Sequence, residues 1–200
     1  LDEISKFDKE KRYAHLLLKN LENEPDNPRW ISLIPPLFIS RGYINHDEYC
    51  KLLRKVILKT TTKEVSTNNV KKGIYLSYLL ERYCSELIQK NELNLAQKYI
   101  DVAKELFPFD VNFLVFDTAI FFIRVRNESK KRLSDIILFT RKEDNEVIDS
   151  ESEGTEEALT GIVIKLLLQL ENYEEAKKLF STLSDPVVKL MLKTEEDILK

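Results

Sequence analysis

The stretch that decides the fold is residues 93–108, which read LNLAQKYIDVAKELFP. Within it, Ala96, Ala103 and Pro108 follow one another at intervals of seven and five residues. Seven residues make close to two helical turns, so the two alanines lie on nearly the same face of a helix. Small side chains let a second helix approach closely, and proline then ends the helix because it lacks a backbone donor. The stretch therefore predicts one helix of a tightly packed helical pair.

The shortage of glycine extends this helical interpretation to the whole chain. Only 4 of the 200 residues are glycine, whereas hydrophobic residues make up 43% and charged residues 32%. Phosphate-binding loops, dinucleotide-binding fingerprints and nucleophile elbows all need closely spaced glycines, and β-sandwiches need many glycine-containing turns. The composition therefore predicts a globular all-helical protein without an enzyme motif or a bound cofactor.

Charge and cysteine content narrow the class of protein further. The formal net charge of -3 excludes a globally basic nucleic-acid binder. Cys50 and Cys84 have the spacing neither of a disulfide framework nor of a zinc motif, which favours a reducing compartment, the cytoplasm or the nucleus. The apolar windows are too short or too interrupted to cross a membrane. We expect no metal and no membrane span.

Helical periodicity and turn signals divide the chain into five regions. Residues 1–59 form an N-terminal helical region, residues 60–69 a polar loop, and residues 70–142 a run of helical hairpins. Residues 143–155 are predicted to be an acidic flexible linker, and residues 156–200 a last hairpin and the start of a further helix. Because the connections are short, consecutive helices should run antiparallel.

Both ends of the chain suggest a fragment of something longer. The chain begins at Leu1 rather than at a methionine. It stops at Lys200, shortly after Thr194, which is a good N-cap for a new helix. We therefore expect further sequence on either side, where a targeting signal would also lie.

The spacing of residues 93–108 resembles the second helix of a tetratricopeptide repeat, which carries small, large and small residues followed by proline at these offsets. Ala96, Ile100, Ala103 and Pro108 occupy these positions. By the same alignment the first helix of the repeat begins at Ser77. Its packing face would contain Leu80, Tyr83 and Leu87, with Cys84 in the position that glycine usually occupies.

Two later segments resemble the repeat less closely. The helix around Ala176 looks like another second helix, although Leu183 replaces the second small residue and Pro186 comes two residues early. Residues 111–126 and 128–141 have the length of one hairpin but lack the small residues. The resemblance implies an all-α fold in which antiparallel hairpins stack as a right-handed α-solenoid. An irregular helical bundle and a HEAT-like array are the alternatives, and residues 1–59 are either divergent repeats or a cap.

The resemblance also implies a non-catalytic scaffold that binds a partner segment or a sister subunit, as part of a larger complex. In this family the first helix of each repeat lines the concave surface. The groove candidates here are Tyr75, Tyr78, Arg82 and Lys90 on one helix, and Arg124 and Arg126 on the next.

The helix expected at residues 111–126 is apolar almost all round, which indicates burial on several sides. Either it is the centre of the solenoid, or a partner protein covers one side. In the second case the aromatic anchors would be Phe113, Phe116, Phe121 and Phe122. Asp117 lies among these apolar residues, so it needs a structural partner. The basic residues that could pair with the Asp117 carboxylate are Arg124 on the same helix and Arg82 or Lys90 on a neighbouring helix.

An alternative function is contact with RNA or DNA. Lys130, Lys131 and Arg132 would lie across a hairpin turn from Arg124 and Arg126, and together they would form a basic ridge. Solvated helix faces are the commoner explanation of such charges.

Two further residues, His46 and Ser150, carry side chains that could bind a ligand or be modified. His46, in the first turn of a helix, is expected to face solvent rather than to act as a ligand. Ser150 precedes an acid by three residues within the acidic linker, so it is a candidate phosphorylation site.

Overall fold

The computed structural model describes residues 2–59, 64–140 and 155–199. In these ranges the chain is helical, with one isolated antiparallel bridge between Leu58 and Val70, so the all-helical prediction is confirmed. The α-helices are α1 (Asp2–Asn23), α2 (Pro28–Ser32), α3 (Pro36–Ser40), α4 (His46–Ile57), α5 (Leu76–Gln89), α6 (Leu93–Leu106), α7 (Val111–Thr140), α8 (Thr155–Gln169), α9 (Tyr173–Thr182), α10 (Pro186–Met191) and α11 (Glu196–Leu199).

The chain divides into two compact units, Leu1–Ile120 and Phe121–Lys200, and helix α7 contributes residues to both. Each unit has its own hydrophobic core. In the first unit the largest fully buried side chains include Tyr49, Leu80, Tyr99 and Phe113. In the second unit the core contains Ile164, Leu167, Ala176, Val188 and Leu192.

Polar side chains cap the first turns of α4 and α10. The Asn45 side chain accepts the backbone N–H of Asp47 at 2.8 Å and begins α4. The Asp185 side chain accepts the N–H of Val187 at 2.7 Å and begins α10, which has Pro186 in its first turn. These bonds satisfy N–H groups that have no partner within the helix.

Helices α5 and α6 form the hairpin predicted from the repeat spacing. Tyr83 and Tyr99 meet edge to face, with ring centroids 4.7 Å apart. Cys84 is completely buried. The other residues predicted to pack are also buried: Leu80, Leu87, Ala96, Ile100 and Ala103.

The same turn joins α5 to α6 and, 80 positions later, α8 to α9. Asn91 and Glu171 both have positive φ angles, 59° and 62°. In the first turn the Leu87 carbonyl accepts the N–H of Glu92 at 2.9 Å. In the second, the Leu167 carbonyl accepts the N–H of Asn172 at the same distance. Ala96 and Ala176 also correspond, and both are fully buried.

The hairpin predicted between residues 111–126 and 128–141 is wrong, because α7 runs without a break from Val111 to Thr140. The segment around Asn127 contains no glycine or proline that would end a helix. Glu128 and Arg132 instead form an ion pair of 2.8 Å one turn apart, which favours continuation.

Another predicted boundary differs from the structure, and one predicted segment lies outside the described residues. The run of hairpins predicted from residue 70 begins instead with α5 at Leu76, because Val70 pairs with Leu58. The linker predicted at residues 143–155 lies almost entirely outside the described residues, and so does Ser150.

Candidate interaction surface

Helix α7 is apolar on two faces, but the first unit buries only one of them. Phe113 and Ile120 point into the core and are fully buried. On the opposite face of the helix, Val111, Leu114 and Val115 are 68%, 59% and 56% exposed. Phe113 therefore belongs to the core, and Phe116 packs against it half-buried. Neither residue is presented as an anchor for a partner.

In the second unit, α7 and α8 border a cleft of about 480 Å³, which we call the α7 cleft. The side chains of Phe121 and Val125 form part of its wall, and Phe121 is 59% exposed. Phe122 lies beside it, with ring centroids 5.6 Å apart, and is 64% exposed. The α7 cleft is lined by Phe121, Arg124, Val125, Glu128, Ser129, Arg132, Leu166 and Gln169.

A partly buried hydrogen bond joins the two helices within this cleft. The Ser129 hydroxyl donates to the Gln169 amide oxygen at 2.7 Å, and Ser129 is only 4% exposed. Arg124 and Arg132 bring cationic groups to the same cleft, and Glu128 pairs with Arg132. The cleft thus combines apolar walls with guanidinium groups, which suits an apolar anchor that carries acidic neighbours.

The remaining predicted partner residues lie in the first unit, in several environments. The Arg82 guanidinium stacks 5.3 Å from the Tyr78 ring centroid and donates to its hydroxyl at 3.0 Å. Tyr75 is half-buried against the core. Lys90 forms an ion pair with Asp47, which raises the pKa of the Lys90 ammonium group through a hydrogen bond.

The basic residues do not form the ridge that was expected across a hairpin turn. On the continuous α7, consecutive residues are rotated by about 100° around the axis. Lys130, Lys131 and Arg132 therefore point in three directions, and only Arg132 lines the α7 cleft. Arg126 is exposed elsewhere on the helix.

Asp117 has structural partners, as expected, and two of them come from α6. Its carboxylate accepts hydrogen bonds from Lys104 Nζ at 2.6 Å and from Gln97 Nε2 at 2.7 Å. The bond to Asp117 raises the pKa of the Lys104 ammonium group. These contacts tie α7 to α6 within the first unit, so a structural role accounts for this acid.

The sequence did not predict the cluster that His46 forms with Glu86 and Cys50. His46 does not simply face solvent, because its Nε2 atom is hydrogen-bonded to the Glu86 carboxylate of α5. Cys50, one turn after His46 on α4, completes a cluster with ligand atoms within 4.8 Å of one another. Burial raises the pKa of the Cys50 thiol. The spacing of His46 and Cys50 was visible in the sequence, but nothing there pointed to Glu86.

No protein-family model matches the chain, and no curated protein does. In the ranges that the structure describes, no helix has both the length and the apolar character that crossing a membrane requires.

Proposed function

We propose that this chain is a non-catalytic scaffold of tetratricopeptide-like helical hairpins. In this proposal it binds a segment of a partner protein in the α7 cleft, as a subunit of a larger complex. The observation that carries the proposal is the cleft itself, where the aromatic ring of Phe121 is exposed beside Arg124 and Arg132. Exposed aromatic residues next to arginines are typical of the energetic centres of protein interfaces.

The repeat part of the proposal is supported by the two similar hairpins. Helices α5 and α6, and again α8 and α9, are joined by turns with the same positive φ and the same hydrogen bonds. Both second helices bury an alanine at the corresponding position. Hairpins of one design are the unit from which an α-solenoid is built, and a right-handed solenoid is the arrangement that we propose.

The chemistry of the cleft indicates the kind of segment that binds. An apolar side chain of the partner would contact Phe121, Val125 and Leu166 and remove their surface from water. A carboxylate next to it would meet Arg124 or Arg132 with planar, charge-assisted hydrogen bonds. A short acidic-hydrophobic protein segment therefore fits better than a flexible nucleic acid, for which the cleft presents no row of stacking rings.

Site-specific photocrosslinking in the native host tests this proposal. A benzophenone amino acid in place of Phe121 should capture one defined partner, whereas the same residue in place of Leu190 should not. Leu190 is the matched control because it lies in the same unit and is 66% exposed. Equal capture at both positions, or capture at neither, would contradict the proposal.

Binding measurements with the captured partner complete the test. Phe121→Ala should weaken binding by about 30-fold, which corresponds to roughly 2 kcal/mol for an interface hot spot. Leu190→Ala should leave the affinity unchanged. If the species captured at position 121 is nucleic acid, held with a steep dependence on salt, the nucleic-acid alternative replaces the scaffold.

A further inference from the structure

A cluster of three metal-ligand side chains lies between α4 and α5 in the first unit, away from the α7 cleft. His46 and Cys50 are four residues apart on α4, so they share one face of the helix. Glu86 projects from α5 towards them. The imidazole nitrogen, the thiol sulfur and the carboxylate oxygen all lie within 4.8 Å of one another. The Asn45 cap holds the first turn of α4, on which His46 stands.

The buried carboxylate of Glu86 is stabilised by a positive charge close to it. The Glu86 side chain is only 7% exposed. A carboxylate removed from water in this way needs hydrogen bonds or a cation to offset its lost hydration. His46 contributes one hydrogen bond, while Lys90 is already paired with Asp47. A bound cation would compensate Glu86 and would engage Cys50 at the same time.

The mixture of nitrogen, sulfur and oxygen ligands favours one metal over the others. Zn²⁺ accepts imidazole, thiolate and carboxylate together, at about 2.0 to 2.3 Å from the metal. Mg²⁺ and Ca²⁺ select oxygen ligands and would leave the sulfur of Cys50 unused. Tetrahedral bonds of these lengths place ligand atoms about 3.3 to 3.7 Å apart, so the hydrogen bond between His46 and Glu86 opens as the ion takes its place between the two groups.

An open cleft supplies the entry path and the fourth position. It has a volume of about 460 Å³ and is lined by His46, Glu86, residues of α3 such as Pro36 and Ser40, and Gln89. His46 is one-third exposed at this opening, whereas Glu86 lies deeper. Three protein ligands and a water molecule reached from a cleft are a recurrent zinc arrangement.

We propose that His46, Cys50 and Glu86 bind one Zn²⁺ ion that clamps α4 to α5 and carries a water molecule in its fourth position. The thiol gives up its proton to solvent as the metal–sulfur bond forms, with no change in oxidation state. The inference is independent of the scaffold function. Because the ligands come from two helices of one core, the ion stabilises the folded first unit.

Titration of the full chain with zinc chloride in a competition assay with a chromophoric chelator tests the site. The expected result is one ion per chain, bound with micromolar or tighter affinity, together with a rise in melting temperature. Cobalt in place of zinc should produce a thiolate-to-metal charge-transfer band. Cys50→Ala should abolish this band and weaken zinc binding at least about 100-fold, the upper end of the effect of losing an outer-sphere partner.

Matched substitutions separate the site from general metal binding. His46→Asn should weaken binding to the same extent, whereas His15→Asn should not, because His15 lies on the exposed face of α1. His46 is partly exposed, so its replacement leaves the core intact even if Cys50→Ala destabilises the fold. The proposal is overturned if the folded chain binds no zinc at 100-fold excess of metal, on the order of 1 mM. It is also overturned if His46→Asn and Cys50→Ala retain the wild-type affinity.

Discussion

At the scale of single residues, Glu157 shows how one carboxylate connects two helices of the second unit. It lies in the first turn of α8 and accepts the backbone N–H groups of Ser184 and Asp185 at 3.0 and 2.6 Å. The hydroxyl of Ser184 also donates to it. These hydrogen bonds, that of the Ser184 side chain first, lower the pKa of the Glu157 carboxyl below its usual value of 4.5. The ionised form therefore holds the start of α10 against α8.

Glu157→Gln is expected to lower the free energy of unfolding at pH 7. The folded pKa lies below the unfolded one, so the ionised carboxylate stabilises the fold above pH 4.5 and loses this effect as the pH falls through the folded pKa. Urea unfolding at pH 7 and at pH 3 should show a difference between variant and wild type that shrinks in acid. Glu174→Gln, on an exposed face of α9, removes the same charge and serves as the control.

A difference between Glu157→Gln and wild type that is equally large at pH 7 and pH 3 would contradict this role. So would an identical effect of Glu174→Gln, because the loss of any surface charge would then explain the result.

At the scale of elements, the length of α7 determines which charged residues share one surface. It spans 30 residues, with Asn127 exposed near its middle. A turn at this point would have placed the basic residues on two antiparallel helices. Because α7 is continuous, Arg124 and Arg132 instead lie eight residues apart on one helix, and both line the α7 cleft. The continuous helix thus brings Arg132, as well as Arg124, to the same cleft as Phe121.

Asn127→Pro distinguishes the continuous helix from a hairpin. Within a helix, proline removes a hydrogen bond and clashes with the preceding turn, so we expect a loss of about 3 kcal/mol or more in the free energy of unfolding. In a hairpin turn the same residue would be tolerated. Denaturant unfolding measures the change, and Asn127→Ala, which favours helix, is expected to be neutral or slightly stabilising. If Asn127→Pro is as stable as the wild type, the chain forms a hairpin turn at this position rather than one continuous helix.

At the scale of the whole molecule, the chain is organised around two separate cores. The first contains the α5–α6 hairpin with Ile100 fully buried, and the second contains the α8–α9 hairpin with Ile164 fully buried. Local stability should therefore follow the core to which a residue belongs.

Ile164→Ala is expected to destabilise the second unit selectively. Removing a fully buried isoleucine side chain costs about 2 to 5 kcal/mol, because apolar surface is lost and a cavity remains. Hydrogen exchange should show faster exchange in α8 and α9, with the amides of α5 and α6 unchanged. Ile100→Ala should produce the reverse pattern. If either substitution accelerates exchange evenly across both hairpins, the two cores unfold as one.

The sequence was most informative where a structure depends on neighbouring residues. Asn45 and Asp185 mark helix starts because their side chains reach N–H groups only two residues away. The spacing of Ala96 and Ala103 predicted the packed face of α6 because helical geometry repeats along the chain. The pattern predicts a break at Asn127 that α7 does not have, because helix and turn differ there only by small propensities, which neighbouring helical residues override.

The sequence by itself determined that the protein is helical and which faces of α5 and α6 are buried, since the periodicity of apolar residues encodes both. Only the tertiary structure decided which distant residues meet. It brought Glu86 to His46 and Cys50, and it placed Leu166 and Gln169 opposite Phe121 and Arg132. Such pairings depend on how helices dock, and docking is set by the packing of whole faces, which no local spacing records.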